Sequence, residues 1–149
     1  KRMKIFEDIY HKMIDCPSVP PECGGILGAD RENTINHIRF DKGIRTGNGG
    51  VYIPNIPFLN RVIEEWAEDG IEFQGIFHTH APQWPELSHD DRVYIIDILN
   101  VMPRNIMQLY FPLVFPGRNI KGYCANRRNG IIDIVDDDIE IINRGGNIK

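Results

Sequence analysis

The chain is short of the residues that usually announce a function. It has three cysteines, Cys16, Cys23 and Cys124, and no C-x-x-C pair. That excludes a disulfide framework and a cysteine-rich zinc ribbon. The odd count suits core or surface thiols in a reducing compartment, with Cys16–Cys23 across the proline-rich segment as the one bridge that the spacing invites. Long apolar runs are missing too. Stretches such as 93–99 are short and contain Asp97, far below the roughly 20 residues of a membrane span. The formal net charge is only −4 over 149 residues, which argues against nucleic acid or an anionic membrane as the main partner. No secretory signal is legible, so the expected location is the cytoplasm. The chain opens on Lys1-Arg2 rather than methionine, as a segment excised from a longer protein does.

What is present suffices for one folded unit. At 149 residues and 42% hydrophobic content, the chain can bury a real core. The expected domain covers 1–143, followed by a flexible tail over 144–149, with no internal repeat. Residues 4–15 carry Ile5, Phe6, Ile9, Tyr10, Met13 and Ile14 at helical spacing. The prolines at 17, 20 and 21 end that helix. Segments 22–29 and 34–40 read as a strand hairpin, 41–53 as a glycine-rich flexible loop, and 58–67 as an amphipathic helix closed by Gly70. A strand over 71–80, a proline-bearing loop over 81–87 and a helix over 88–101 follow, the helix with Val93, Ile96 and Leu99 predicted to face inward. Strands are predicted at 107–115, 120–125, 131–135 and 139–142. The fold class that results is α/β, a mixed central sheet flanked by helices.

One constellation carries chemistry. His78-Thr79-His80 is followed, after seven residues, by Ser88-His89-Asp90-Asp91, the pattern H-x-H-x7-S-x-x-D; serine occurs only twice in the chain, and Ser88 fills the slot. A strand ending in His-x-His points both rings to one face, because side chains alternate with period two. A turn and a helix start then return Asp91 to that face. Two imidazoles and a carboxylate leave the fourth position of a tetrahedral Zn²⁺ open for water, the ligand count of a catalytic site.

Plainer readings compete for the same residues. Ser88-x-x-Asp91 is also a capping-box pattern, worth about 1 kcal/mol in any helical protein. The two roles compete for Asp91, since a carboxylate on zinc is not free to reach back to the N-cap amide. Asp90 suits a first helical turn without any function, His89 reads as solvent-facing, and His11 and His37 read as structural. Glu22 follows Pro20-Pro21 and opens an apolar, glycine-rich strand. Partial desolvation there would raise its pKa toward the range of a general base.

These segments resemble a known family. The stretch from Pro20 to Gly28 is similar to the P-x-E-x-x-G-x-L segment of the JAMM (MPN-plus) zinc metallopeptidases, and His78 to Asp91 is similar to that family's second motif. The resemblance spans roughly 1–135, with Ala81 standing where many members have proline. It implies a JAB/MPN domain, a cytidine-deaminase-like sandwich, of the small prokaryotic branch. It further implies metal ligation by His78, His80 and Asp91, with Glu22 as general base and then acid, and Ser88 as oxyanion donor. Trp84 and Leu87, on the loop between the ligands, are candidates for an apolar rim along the substrate. The implied reaction is hydrolysis of an amide after the C-terminal glycine of a ubiquitin-like or sulfur-carrier modifier protein. Two other readings stay open: a zinc hydrolase acting on a small amide, and a non-catalytic protein-binding module. Sequence leaves the substrate and the oligomeric state undetermined.

Overall fold

The first residues already depart from the helix expected over 4–15. The computed structural model describes residues 3–16, 24–30, 33–43 and 52–143. Its chain begins with a strand, β1 (Met3–Phe6), and turns into helix α1 (Glu7–Ile14) only afterwards. Met3 and Ile5 are fully buried while Lys4 is exposed, the period-two signature of a strand. Ile5 and Ile9 are also spaced four apart, so the apolar pattern admits either state. Pairing with strands from elsewhere decides it.

Strands β2 (Gly24–Ala29), β3 (Ile35–Asp41), β4 (Glu72–Thr79), β5 (Gln108–Tyr110), β6 (Leu113–Phe115), β7 (Asn119–Lys121), β8 (Tyr123–Arg128), β9 (Ile131–Asp136) and β10 (Ile139–Ile142) complete the set. They form one mixed sheet in the order β10-β1-β3-β2-β4-β5-β8-β9, with β6 on β4 and β7 on β6. β9 and β10 sit at opposite ends of that order, yet only Asp137 and Asp138 separate them. The sheet must therefore curl until its two edges meet. Hydrogen bonds from the Asp137 N–H to the Gly122 carbonyl (3.0 Å) and from the Met3 N–H to the Asp138 carbonyl (3.0 Å) fasten the link.

Two of the strands expected in the C-terminal half are interrupted. The stretch 107–115 divides into β5 and β6 around Phe111-Pro112, where proline has no N–H to give the ladder. The stretch 120–125 divides into β7 and β8 at Gly122, where a Cβ would lie 2.2 Å from the Asp137 carbonyl oxygen. The interruption lets β4 pair with β5 through Gly75 and with β6 through His78 and Thr79.

Helices cover both faces. Helix α1 packs with Leu27, Phe77 and Val114 on one side. Helices α2 (Ile56–Glu68) and α3 (His89–Val101) pack with Ile26, Ile76 and Leu109 on the other. Successive residues of β2 and of β4 thus serve opposite cores, as the pleat requires. Asn55 caps α2 by accepting from the Phe58 N–H at 3.3 Å, and Leu59, Val62 and Trp66 face the sheet. Along α3 the buried residues are Asp91, Ile95 and Leu99. The expected inward set was Val93, Ile96 and Leu99. Val93 is 45% exposed and Ile96 only half-buried, because the helix turns the carboxylate of Asp91 inward and the rest of its face follows at four-residue spacing. No helix of the described residues is long and apolar enough to cross a membrane.

This phase of α3 sets an expectation for stability. Ile95→Ala should cost about 2–5 kcal/mol as a buried deletion, and Val93→Ala no more than about 0.5 kcal/mol as a surface change. Urea unfolding of the two variants compares them directly, and equal losses would contradict the burial pattern.

Candidate metal centre

β4 lies in the interior of the sheet, between β2 on one side and β5 and β6 on the other. From Gly75 to His80 every residue is buried. Ile76 faces the core under α2 and α3, so alternation puts His78 and His80 on that same face. The strand ladder ends at Thr79, but the His80 N–H still donates to the Val114 carbonyl at 2.9 Å, which holds the second imidazole in line. The first turn of α3 stands over this end of β4 and delivers Asp91.

Three ligand atoms converge. His78 Nε2 and His80 Nε2 are 3.2 Å apart, and Asp91 Oδ2 lies 3.3 Å from the first and 3.2 Å from the second. All three residues are buried, at 1%, 6% and 7% exposure. Donor atoms bound at about 2.0–2.1 Å to a tetrahedral ion are themselves about 3.3 Å apart, so the triangle has the size of one face of such a coordination shell. Among the described residues, these three are the histidine, cysteine and acidic side chains placed closely enough to share a metal ion.

Protonation states point the same way. His80 Nδ1 is 3.0 Å from the Trp84 carbonyl oxygen. A carbonyl only accepts, so Nδ1 carries a hydrogen and Nε2 is the nitrogen turned toward His78 and Asp91. Burial acts to raise the Asp91 pKa, but hydrogen bonds from His78, His80 and the Ser88 N–H outweigh it and hold the carboxyl well below the usual carboxylate range. Two imidazole nitrogens and a carboxylate gathered at one buried point need protons or a cation between them. The site therefore has both the size and the charge to hold a metal ion.

Ser88 and Asp91 form a complete capping box. Ser88 Oγ accepts from the Asp91 N–H at 3.0 Å, and the Ser88 N–H donates to Asp91 Oδ2 at 2.9 Å. The same Oδ2 faces both imidazoles. Capping and ligation were expected to compete for Asp91; the cap is formed while the same carboxylate oxygen lies beside both imidazoles, and such an oxygen offers more than one acceptor direction. The cap fixes the orientation of the carboxylate, as outer-shell hydrogen bonds do in metal sites.

The other sequence-predicted residues separate. Glu22 lies outside the described residues, as do Cys23 and the tail 144–149. Trp84 is 63% exposed on the loop after His80, and its carbonyl is the group that orients His80. Leu87 is 7% exposed and packs into the core with Ile95 and Phe111. Its apolar side chain gains more from burial than from an exposed loop position. His89 and Asp90 face solvent. His11 is exposed and 3.6 Å from Glu7, and the His37 ring meets the edge of Trp66, both remote from the centre.

Two aromatic residues at the site were not anticipated. The Tyr52 ring stacks on His78, with centroids 6.3 Å apart and planes 14° from parallel. Tyr94 meets the same imidazole edge-on at 6.4 Å, one turn of α3 beyond Asp91. Burial, and then the charge of Asp91, push the Tyr94 hydroxyl far above its ordinary pKa, so it stays protonated. Tyr94 was recoverable from the three-residue spacing to Asp91 on a helix. Tyr52 carried no signal, because it follows a glycine-rich stretch read as loop.

No protein-family model matches the chain, and none of the curated proteins matches it. Among solved structures, the fold is similar to that of a protein from Desulfitobacterium hafniense, with a TM-score of 0.61 at 13% identity over 95% of this chain and 93% of that one. It is also similar to a protein from Salinibacter ruber, with a TM-score of 0.51 at 14% identity over 94% and 92% of the two chains. Both were determined in solution. At such identities the likeness is one of fold: a mixed, curled sheet flanked by helices.

Proposed function

We propose that the protein is a zinc-dependent metallopeptidase of JAB/MPN type, hydrolysing the amide bond after the C-terminal glycine of a ubiquitin-like or sulfur-carrier modifier. The observation that carries this reading is the buried triangle of His78 Nε2, His80 Nε2 and Asp91 Oδ2, with sides of 3.2–3.3 Å. Two nitrogens and one oxygen form a donor set that suits zinc, and three protein ligands leave a position for substrate or water. A zinc ion held there supplies Lewis acidity, polarising an amide carbonyl and acidifying water to a pKa of about 7.

The chain's own residues supply the rest. Ser88 uses its oxygen to cap the Asp91 N–H and keeps its hydroxyl hydrogen to donate. On an exposed position beside the ligands, that hydrogen is available to the oxyanion that forms as the amide is attacked. Glu22 precedes Gly24 by two positions, and Gly24 is the β2 residue in register with His78. In this role Glu22 takes a proton from the attacking water and returns it to the leaving amine. The exposed Trp84 ring flanks the approach.

Protein purified without added metal should contain one zinc per chain by elemental analysis. The double substitution of His78→Ala with Asp91→Ala should abolish that content, and retention near one would overturn the assignment. Glu22→Gln should lower turnover by about 10²–10⁴-fold, the usual share of positioned acid–base catalysis, while zinc content and far-UV circular dichroism stay unchanged. Activity within a factor of a few of the parent would mean that another group is the base. For the substrate, kcat/KM on a modifier fusion should exceed that on a short peptide copied from its tail. Equal values would remove the modifier from the reading and leave a small-amide hydrolase.

A further inference from the structure

The three proposed ligands are oriented by different means, and one of them lacks the usual device. A metal-bound histidine ordinarily donates its second N–H to a carbonyl or carboxylate, which fixes the ring. His80 does so through the Trp84 carbonyl, and Asp91 is held by the Ser88 amide. His78 Nδ1 is buried with no hydrogen-bond partner among the described residues. Among the described residues, no hydrogen bond to Nδ1 sets the plane of that imidazole.

The surroundings of His78 show what does. Asp41, Gly24 and His78 are in register across β3, β2 and β4, forming one row on the sheet. The middle residue has no side chain, and a Cβ on Gly24 would stand 2.8 Å from the Cε2 and Cζ atoms of Tyr52. The Tyr52 ring therefore lies in the notch above Gly24. On one side its hydroxyl donates to Asp41 Oδ2 at 2.8 Å; on the other its face stacks on His78. Asp41 is itself buried and held from two further directions, accepting from the Gly43 N–H at 2.9 Å and the Asn55 N–H at 2.9 Å. It thus joins the end of β3 to the N-cap of α2, and Tyr52 is anchored where those two elements meet.

We infer that Tyr52, anchored by Asp41 in the notch above Gly24, is a positioning residue that holds the His78 imidazole in the plane required for metal binding. The inference rests on His78, His80 and Asp91 binding a divalent metal. It assigns to Tyr52 the role that the Trp84 carbonyl plays for His80, using ring contact in place of a hydrogen bond. A flat wall restricts rotation about the bond to the imidazole without demanding a particular tautomer. Nε2 is thereby kept on the triangle while Nδ1 has no partner among the described residues.

Zinc affinity of the full chain, measured by competition with a chromophoric chelator, tests this. Tyr52→Leu should weaken zinc by about 10–100-fold, the usual effect of losing an outer-shell partner. Tyr52→Phe keeps the ring and loses its anchor, so it should recover most of that loss. The visible spectrum of the cobalt-loaded protein should change in the same order, with the Leu variant furthest from the parent. Leu99→Ala disturbs the same core away from the ligands and should lower thermal stability with zinc affinity unchanged. If Leu99→Ala weakens zinc as much as Tyr52→Leu, the effect is general loosening and the positioning role fails. It fails equally if Tyr52→Leu binds zinc as the parent does. Should Tyr52→Leu not fold, Tyr52→Phe and Asp41→Asn take its place, and unchanged affinity and cobalt spectrum in both overturn the inference. A parent protein that binds no zinc, or a His78→Ala variant that binds as tightly, would instead remove the metal centre itself.

Discussion

A single carboxylate oxygen ties helix α3 to the strand that carries both histidines. Asp91 Oδ2 accepts the Ser88 N–H and at the same time faces two imidazole nitrogens within 3.3 Å. Burying an ionised carboxylate is costly unless donors or a cation compensate it, so the helix start, its cap and the end of β4 are interdependent. That dependence reaches the core. Turning Asp91 inward sets the phase of α3, which brings Ile95 and Leu99 onto the sheet and leaves Val93 outside.

The curl of the sheet makes this possible. Because β9 and β10 occupy opposite edges and only two residues join them, the strands wrap around the α1 core. On the other face, α2 and α3 share the apolar floor that contains Ile26 and Ile76. β4 is thus buried on both faces and flanked on both edges, with its C-terminal end emerging beneath the first turn of a helix. Polar ligands at the end of an interior strand sit in a rigid, poorly solvated frame, where donors keep their aim and electrostatic interactions are strong.

Orientation of His78, His80 and Asp91 is divided among unlike contacts. A backbone carbonyl from the loop after β4 sets His80, a capping box sets Asp91, and a stacked ring anchored on β3 sets His78. These come from three separate segments, so the arrangement forms only when loop, helix and sheet are in place together. The buried row of Asp41, Gly24 and His78 gives a reason for glycine at position 24 that strand propensity alone does not supply.

Much of this was legible in the sequence, for a local reason. Period-two alternation puts His78 and His80 on one face whatever the rest of the chain does, and Ser88-x-x-Asp91 is a helix start in any context. The mixed α/β class, the hairpin of β2 and β3, and the helices near 58–67 and 88–101 follow from the same short-range regularities. Tertiary contacts decided what short-range patterns leave degenerate. Residues 3–6 became a strand because β10 and β3 offered edges to pair with. Leu87 went to the core because the loop folds under α3. One oxygen of Asp91 serves both cap and imidazoles because the helix axis points at the end of β4. Tyr52 reached His78 because β3 and β2 align Asp41 and Gly24 beside it. Side-chain periodicity is a property of the backbone and can be read along the chain; the meeting of residues 41, 52 and 78 depends on strand register across the sheet, which no local pattern encodes.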